Sequence, residues 1–344
     1  MLQLLILAIL IFLFGTFNLL GIQKDLLVRH LTYFGIGVLF YSILRKKGLH
    51  FLRLNTFFFY WLSIILLIIT YVIGFEVKGS QRWIDLYFFK FQSSEFLKII
   101  FIVFMAEFFS RNRAHLKEFS FFLLSMFYFV VPALLVFKQP DLGNALVYAA
   151  IFFTMLMFSG IPKKFILYVA LIGVVSLPIG WNFLKEYQKS RITTFFNPHI
   201  DQEGTSYNMT QALISVGSGT FTGKGLGLGT QSRLYFLPEN ETDFAFSSLI
   251  EQFGFVGGFA VISLFFIMAI ILIKRITYYY YQQTVDGRFH MLVYIGFTAF
   301  FLFQAFVNMG MNLGILPIAG ITLPFISYGG SSLITCLIAL ALLP

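Results

Sequence analysis

Long apolar segments alternate with short polar connections along nearly the whole chain. A helix needs about 20 mainly apolar residues to cross the hydrocarbon core of a bilayer, and ten segments approach that length once polar residues at their ends are added. This pattern predicts an all-α polytopic membrane protein with about ten transmembrane helices in one domain over residues 1–344. The predicted spans are Leu2–Leu20, Leu31–Leu44, Phe57–Ile73, Phe96–Phe109, Phe119–Phe137, Ala145–Phe158, Phe165–Ile179, Phe255–Ile273, Met291–Met311 and Leu323–Leu343.

Composition supports the same class of protein. Hydrophobic residues make up 58% of the chain and charged residues only 11%, whereas a soluble domain of this length carries more polar surface. The formal net charge of +9 suits the surface of an anionic bilayer. Because no basic-aromatic binding module is present, membrane lipids rather than nucleic acid are the expected partners. Cys336 is the single cysteine, so there is no disulfide framework.

The distribution of charge predicts the orientation in the membrane. The short loops on one side contain twelve Lys and Arg residues, against six on the other side. By the positive-inside rule the N-terminus therefore lies in the cytoplasm, and an even number of spans places the C-terminus there as well. Eleven of the fifteen acidic residues fall on the outer side, so the polar chemistry is expected to face outward.

One connection, from Asn182 to Thr242 between predicted helices 7 and 8, is much longer than the others, which itself points to function. It contains "GSGTFTGKGLGLGTQSR". This is not a Walker A phosphate loop, because three residues rather than four separate Gly219 from Gly223, and a glycine follows Lys224. We expect a Gly-rich re-entrant segment, with Lys224 as a candidate phosphate contact.

Charged residues at the ends of spans are the first candidates for chemistry. In "QSSEFLK", Ser93 or Ser94 begins a helix and Lys98 enters the span. A lysine inside a span normally faces a cavity and needs a partner, which Glu95 supplies three residues earlier. The alternative is a Lys98 that reaches the membrane interface, with Glu95 complementing the helix dipole. In "KQPDLGNAL", Asp141 is a candidate helix cap.

A second acidic group lies in "LPENETDFAF", just before a predicted span. If the helix begins near Pro238, Glu239 and Asp243 share one helix face and Glu251 continues the row. One carboxylate would suffice to complement the helix dipole. Three of them, Glu239, Glu241 and Asp243, leave capping and a catalytic base or metal-binding rim as alternatives.

Together these stretches resemble the SEDS family, the RodA and FtsW proteins of bacterial shape, elongation and division. The matching motifs occur in the family's order over nearly the whole chain, with Ser93 where the family usually has Pro. "RWIDL" and "SEF" are more similar to RodA than to FtsW. The motifs are "QRWIDL", "QSSEFLK", "QPDLG", "GSG" followed by "GKGLGLGTQ", "FLPENETDF", "NMGMNLGILPIAG" and "LPFISYGGSSL".

The resemblance implies a peptidoglycan glycosyltransferase that polymerises lipid II on the outer face of the bacterial cytoplasmic membrane during elongation. Its substrates would be lipid II and the growing undecaprenyl-pyrophosphate-linked glycan, and its partner a class B penicillin-binding protein that crosslinks the product. The carry-over of motifs assigns the catalytic carboxylate to Asp243. It assigns substrate binding to Arg82, Glu95, Lys98, Asp141, Lys224 and Thr242.

This activity sets clear chemical requirements. An acceptor hydroxyl must lose its proton while a lipid pyrophosphate leaves the anomeric carbon of the donor. A positioned carboxylate can act as the general base. The pyrophosphate needs positive charge, from Lys98, Arg82, Lys224 or a divalent cation, Mg²⁺ or Mn²⁺. The sequence does not choose among these cations and defines no set of metal ligands.

Two functions of other classes fit the composition. A flippase for lipid-linked precursors would use Glu95 and Lys98 in a path across the membrane, and a non-catalytic scaffold would only hold a class B penicillin-binding protein. A flippase needs polar residues along its whole path, yet the inner halves of the spans are nearly bare of them. A scaffold leaves Asp243 and Lys98 without a role. Polymerisation is therefore favoured.

Overall fold

The chain is almost entirely helical in a computed structural model that describes residues 2–77, 80–85, 89–197, 204–282 and 284–344. Three short strands form one antiparallel sheet in the order β1-β2-β3: β1 Phe75–Val77, β2 Ser80–Asp85 and β3 Lys90–Phe91. The α-helices are α1 Leu2–Ile22, α2 Leu27–Leu54, α3 Thr56–Ile73, α4 Ser93–Arg111, α5 Phe119–Lys138, α6 Leu142–Phe158, α7 Lys163–Phe183, α8 Glu186–Phe196, α9 Thr205–Ser218, α10 Thr230–Arg233, α11 Ala245–Tyr280, α12 Val285–Asn312 and α13 Gly330–Ala341.

The helices confirm the predicted polytopic, all-α membrane class. Nine of the ten predicted spans lie within a helix, and the tenth, Leu323–Leu343, overlaps α13. Within the described ranges, six helical stretches are long and apolar enough to cross a membrane, and α6 and α13 are shorter apolar helices. The six stretches are Leu2–Ile22, Lys24–Leu54, Thr56–Ile73, Phe119–Lys138, Ala245–Tyr280 and Val285–Asn312.

Several boundaries differ from the sequence-based expectation. Helix α2 continues through "RKKGLHFLR" to Leu54, where a loop was expected. At 1.5 Å per residue its 28 residues extend for about 42 Å, so the helix is longer than the roughly 30 Å hydrocarbon core. Helix α13 begins at Gly330 rather than at Leu323. Helix α11 begins at Ala245 rather than near Pro238, so Glu239 and Asp243 do not share a helix face.

The Cα positions divide the chain into two compact units. Unit 1 comprises Met1–Phe40, Glu186–Ile271 and Phe301–Leu340, and unit 2 comprises Tyr41–Lys185, Leu272–Phe300 and Ala341–Pro344. Each unit is described separately below. The single domain over residues 1–344 stays a prediction.

Unit 1 contains most of the long polar connection, which folds into helices α8, α9 and α10 rather than an irregular loop. A group of packed apolar residues includes Leu237 and Phe244 from the segment that precedes α11, and α1 is attached to α11 through polar contacts. The amide of Asn18 donates to the carbonyl of Ala245 at 3.1 Å, and Gln252 donates to the carbonyl of Asn18 at 3.0 Å. The packed apolar residues are Ala212, Leu237, Phe244, Met311 and Ile318.

Unit 2 is built on α3 to α7. Helix α3 packs against α4 and α5, and α6 packs against α4, α5 and α7. Aromatic rings fill the space between them: Tyr60 stacks on Phe104 with ring centroids 4.4 Å apart, and its hydroxyl donates to the carbonyl of Tyr128 at 2.8 Å. Because Tyr60 is fully buried, this bond satisfies a polar group that would otherwise cost stability.

Candidate active site

Unit 2 holds a buried polar group around Lys98, here called the Lys98 cluster: Arg82, Gln92, Glu95, Lys98, Asp141 and Asn144. Helix α4 begins at Ser93, as predicted, so Glu95 lies in its first turn and Lys98 one turn further. The Lys98 ammonium donates to Glu95 Oε1 at 2.7 Å and to Asn144 Oδ1 at 2.8 Å. Neither Lys98, 0% exposed, nor Glu95, 4% exposed, contacts water freely. The predicted ion pair is therefore present.

The ammonium of Lys98 also lies 5.2 Å from the ring centroid of Phe300, within the range of a cation–π contact. Lys98 donates to only one of the two carboxylate oxygens of Glu95. Among the described residues, Glu95 Oε2 is buried without a hydrogen-bond partner, and so is the hydroxyl of Ser94. Buried polar atoms are rarely left unpaired, so a bound hydroxyl or water would be stabilised at either of these atoms.

Asp141 forms the other half of the Lys98 cluster. It is the N-cap of α6, as predicted, and accepts from the backbone N–H of Asn144 at 3.2 Å. Its carboxylate also accepts from the side chains of Asn144 at 2.9 Å and Gln92 at 3.1 Å. Arg82 Nη1 lies 3.7 Å from Asp141 Oδ1, and the same guanidinium donates to the carbonyls of Gln139 and Pro140. Two cations and two carboxylates therefore balance within the cluster.

In unit 1 the backbone of Glu241, Thr242 and Asp243 is held by four hydrogen bonds from distant parts of the chain. Asn308 and Asn312 both donate to the carbonyl of Asp243, at 3.0 and 2.9 Å. The hydroxyl of Ser327 donates to the carbonyl of Thr242 at 2.6 Å, and the backbone N–H of Tyr328 donates to the carbonyl of Glu241 at 2.8 Å. The carboxylate of Asp243 is thus carried on a fixed backbone, two residues before α11.

Local contacts shape the same turn. The hydroxyl of Thr242 donates to Glu239 Oε2 at 2.9 Å, so Thr242, a predicted substrate-binding residue, is already bonded to its neighbour. Glu239 has a φ of 54°, which is uncommon outside glycine. The following Phe244 is buried in the apolar group of unit 1. Asp243 itself is half-buried, so the turn anchors the backbone and leaves the carboxylate at a partly open position.

A glycine lies beside this carboxylate. Gly320 has a φ of 66°, a conformation that favours glycine. A β-carbon at this position would lie 3.6 Å from Asp243 Oδ2 and 3.1 Å from Nη1 of Arg191. The guanidinium of Arg191, on α8, and the carboxylate of Asp243 therefore border the same small space above the Gly320 backbone.

The predicted phosphate contact Lys224 is bonded to a threonine and to a buried glutamate of unit 1. Its ammonium donates to Thr230 Oγ1 at 2.7 Å and lies 3.0 Å from Glu251 Oε1. Glu251 is fully buried and also accepts from the N–H groups of Gln231 and Ser232, each at 2.9 Å, and from the hydroxyl of Ser232 at 2.7 Å. Glu251 thus holds the start of α10, and Lys224 balances its charge. The role of Lys224 in phosphate binding stays a prediction.

The Gly-rich segment packs where α11 is interrupted. Gly254 has a φ of 68° and a ψ of −167° inside α11, and a β-carbon there would collide with the backbone nitrogen of Gly223. The N–H of Lys224 donates to the carbonyl of Glu251 at 2.9 Å, and the N–H of Phe255 donates to the carbonyl of Thr220 at 2.9 Å. Glycines are needed because two backbones approach closely, as the sequence predicted for this segment.

Sequence reasoning missed the neutral and distant members of these groups: Gln92, Asn144, Arg191, Asn308, Asn312 and Ser327. For Asn144 a signal existed, since it follows Asp141 by three residues and can complete a helix cap. The spacing of Asn308 and Asn312, four residues apart, places both on one helix face. Nothing in the sequence indicates that this face meets Asp243.

The described residues offer no preformed metal site, since no group of three His, Cys, Asp or Glu side chains is placed to hold an ion. A separate cleft of about 290 Å³ lies in unit 2 and contains none of the candidate residues. It is lined mainly by basic side chains at the end of α2, including Arg45, Lys46 and Lys47. The candidate chemistry therefore rests on the Lys98 cluster and on the Asp243 turn.

Comparisons with known proteins point in one direction. The model of the family described as "Cell cycle protein" (FTSW_RODA_SPOVE) matches residues 2–344. The "Probable peptidoglycan glycosyltransferase FtsW" of Hydrogenovibrio crunogenus is 35% identical over 323 residues, which cover 94% of this chain and 82% of that protein. The "Peptidoglycan glycosyltransferase MrdB" of Helicobacter pylori is 33% identical over 321 residues, covering 91% and 80% respectively.

Solved structures show the same fold. A chain from "Structural coordination of polymerization and crosslinking by a peptidoglycan synthase complex" matches with a TM-score of 0.84 and 27% identity, covering 100% of this chain and 96% of that one. The crystal structure of the rod shape determining protein RodA of Thermus thermophilus matches with a TM-score of 0.71 and 26% identity, covering 99% and 94%.

Proposed function

The chain belongs to the FtsW, RodA and SpoVE family of cell cycle proteins and is a peptidoglycan glycosyltransferase of the membrane, and we propose that it polymerises lipid II with Asp243 as the general base. The observation that carries this proposal is the Asp243 turn. Asn308 and Asn312 both donate to the backbone carbonyl of Asp243, and Asp243 is half-buried. A base must be held within hydrogen-bond reach of the proton that it removes, and a fixed backbone supplies that precision.

In the proposed reaction Asp243 accepts the proton of the acceptor hydroxyl as that oxygen attacks the anomeric carbon of the donor. The bond between this carbon and the pyrophosphate oxygen breaks, and lipid pyrophosphate leaves with the bonding electrons. A single displacement inverts the configuration at the anomeric carbon. A positioned general base typically contributes a factor of about 10²–10⁴ to such a rate.

The Lys98 cluster is proposed to bind substrate rather than to transfer protons. Its ion pair is complete, with Lys98 bonded to Glu95 and Asn144, and Arg82 lies beside Asp141. The open acceptor is Glu95 Oε2, buried and without a partner among the described residues. A sugar hydroxyl or amide N–H of lipid II would satisfy this oxygen, and such a bond to a charged group is worth about 1.5–3 kcal/mol.

The departing pyrophosphate needs positive charge. Among the described residues no group of three His, Cys, Asp or Glu side chains is placed to hold an ion. A divalent cation, Mg²⁺ or Mn²⁺, would enter with the pyrophosphate, because Mg²⁺ usually keeps its water and phosphate ligands and takes only one or two carboxylates from a protein.

We place the reaction at the outer face of the bacterial cytoplasmic membrane, with both termini in the cytoplasm. This orientation rests on the distribution of basic residues, which include the exposed Lys46 and Lys47 in the second half of α2. The proposed partner is a class B penicillin-binding protein, by analogy with the synthase complex whose chain this fold matches. The "RWIDL" and "SEF" motifs favour a role in elongation, as for RodA, over one in division.

The direct test is polymerisation by the purified protein. Lipid II would be supplied with Mg²⁺ or Mn²⁺, with and without a class B penicillin-binding protein whose transpeptidase is blocked. Formation of long glycan strands that require this chain supports the proposal. Transport of lipid II across vesicle membranes without polymer would identify a flippase, and polymer formed only by the partner would identify a scaffold. Either result contradicts the proposal.

A further inference from the structure

The guanidinium of Arg191 lies next to the proposed base, although no sequence motif pointed to it. The missing β-carbon of Gly320 would be 3.1 Å from Nη1 and 3.8 Å from Nη2 of Arg191, and 3.6 Å from Asp243 Oδ2. Both nitrogen atoms of the guanidinium fork therefore face the same space as one carboxylate oxygen. All three residues belong to unit 1.

Two features of the structure favour a glycine at position 320. Its φ of 66° is a left-handed conformation that other residues rarely adopt. A side chain there would also press on the fork of Arg191, since contacts of 3.1 Å are tighter than a β-carbon normally makes. A permanent positive charge and a carboxylate therefore both border the bare backbone of Gly320.

Each of the three side chains that the sequence predicted to supply positive charge to the pyrophosphate already contacts a carboxylate. Lys98 lies 2.7 Å from Glu95, and Lys224 lies 3.0 Å from Glu251. Arg82 contacts Asp141 at 3.7 Å and donates to two backbone carbonyls. If any of these cations moved to a substrate phosphate, a buried carboxylate would be left without compensation, which is costly. Arg191 differs because its neighbouring carboxylate is the group proposed to react.

Arginine also has the right chemistry for this position. Its guanidinium stays protonated, carries five N–H donors in a planar fork and binds phosphate oxygens in pairs. Lys189, two residues away on the same helix, has a different role, since it pairs with Glu186 at 3.0 Å near the exposed start of α8. The half-buried Arg191 is the cation of α8 that borders Gly320 together with the Asp243 carboxylate.

We infer that Arg191 binds the pyrophosphate of the donor and stabilises it as the leaving group. This inference rests on the proposed function and adds a residue to it. As the acceptor oxygen bonds to the anomeric carbon, its proton passes to Asp243 and the pyrophosphate takes the electrons of the broken bond. The guanidinium fork holds the resulting negative charge.

Binding without chemistry tests this inference. The purified protein would be titrated with a fluorescent polyprenyl pyrophosphate and, separately, with the matching polyprenyl alcohol. Arg191→Gln should weaken binding of the pyrophosphate by about 10-fold or more and leave binding of the alcohol unchanged. Arg191→Lys keeps the charge but loses the fork, so an intermediate loss is expected. The matched control is Arg233→Gln, which removes an exposed arginine of the same unit that donates to the carbonyl of Gly227.

Several outcomes would overturn the inference. Wild-type affinity of Arg191→Gln for the pyrophosphate is one, and an equal loss for pyrophosphate and alcohol is another, since it would indicate a structural role. No preference of the wild-type protein for pyrophosphate over alcohol, or an equal loss in Arg233→Gln, would also contradict it. Because no bond is formed in this assay, a failure of Asp243 as the base would leave the binding result unchanged.

Discussion

The ammonium of Lys98 lies 2.7 Å from Glu95 Oε1, and both residues are buried in a helix that carries few other charges. The two side chains are three residues apart, so they meet on one face of α4. A buried pair of this kind is costly to break, because removal of one partner leaves the other charge without compensation. The pair therefore constrains the stability of the fold.

We predict that Lys98→Met lowers the free energy of unfolding by about 3–5 kcal/mol, and that adding Glu95→Gln recovers part of the loss. Thermal unfolding of the single and double variants measures this coupling. The matched control is Glu186 and Lys189, an ion pair with the same spacing but with Glu186 91% exposed. There Lys189→Met should cost less than about 1 kcal/mol. Additive effects of the two substitutions at Lys98 and Glu95 would disprove the coupling.

Asn312 is bonded both to the Asp243 turn and to the first turn of α11. Its Nδ2 donates to the carbonyl of Asp243, and its Oδ1 accepts from the N–H and hydroxyl of Ser247 at 2.9 and 2.7 Å. Asn312→Ala should reduce kcat by about 10²-fold with a smaller change in KM, because a shift of about 1 Å in a catalytic group can have that effect. Asn208→Ala, a half-buried amide on α9, is the control. A variant with normal kcat would show that this contact only supports the fold.

The spans were predictable because the length of an apolar run is a local property of the sequence. Helices α1, α3 and α5 begin within one residue of their predicted starts. Helix α2 was underestimated, since a helix can continue into the aqueous phase where hydropathy has already fallen. The start of α13 was misplaced because the preceding "LPFISYG" is kept out of the helix by hydrogen bonds of Ser327 and Tyr328 to residues far away in the sequence.

The same distinction applies to the site. The pairing of Glu95 with Lys98 and the capping by Asp141 are local, and the sequence predicted both. The contacts of Arg82 with Asp141, of Asn308 with Asp243 and of Arg191 beside Gly320 join residues at least 50 positions apart. The spacing of apolar residues along the chain gives no information about contacts between residues so far apart. Asn and Gln side chains are also hard to identify as site residues from sequence, because they act through hydrogen bonds that form only in the folded chain.

Lys224 provides a test that separates structure from phosphate binding. If it mainly balances Glu251, Lys224→Met should destabilise the protein by leaving a buried carboxylate uncompensated. Adding Glu251→Gln should then restore stability, and binding of a polyprenyl pyrophosphate should be near normal in the double variant. Thermal unfolding and pyrophosphate titration check the two parts. Restored stability together with a 10-fold or greater loss of pyrophosphate affinity would instead support a phosphate contact.

The orientation can be tested with single cysteines in a Cys336→Ala background. Lys46 and Arg233 are both exposed, whereas Ser232 is buried and unsuitable for labelling. A membrane-impermeant maleimide should label Arg233→Cys in intact cells and Lys46→Cys only after permeabilisation. Labelling of Lys46→Cys in intact cells would contradict a cytoplasmic N-terminus and the outward position of the reaction.

The central claim is that the carboxylate of Asp243 removes the proton of the acceptor. Asp243→Asn keeps the size of the side chain and its backbone contacts with Asn308 and Asn312, but removes the base. The most direct measurement is therefore the rate of lipid II polymerisation by purified Asp243→Asn, with Glu239→Gln and Glu241→Gln as controls. We predict a fall of about 10²-fold or more for Asp243→Asn, with much smaller effects in the controls and little change in thermal stability. Polymerisation by Asp243→Asn at a rate near that of the wild-type protein would contradict the assignment.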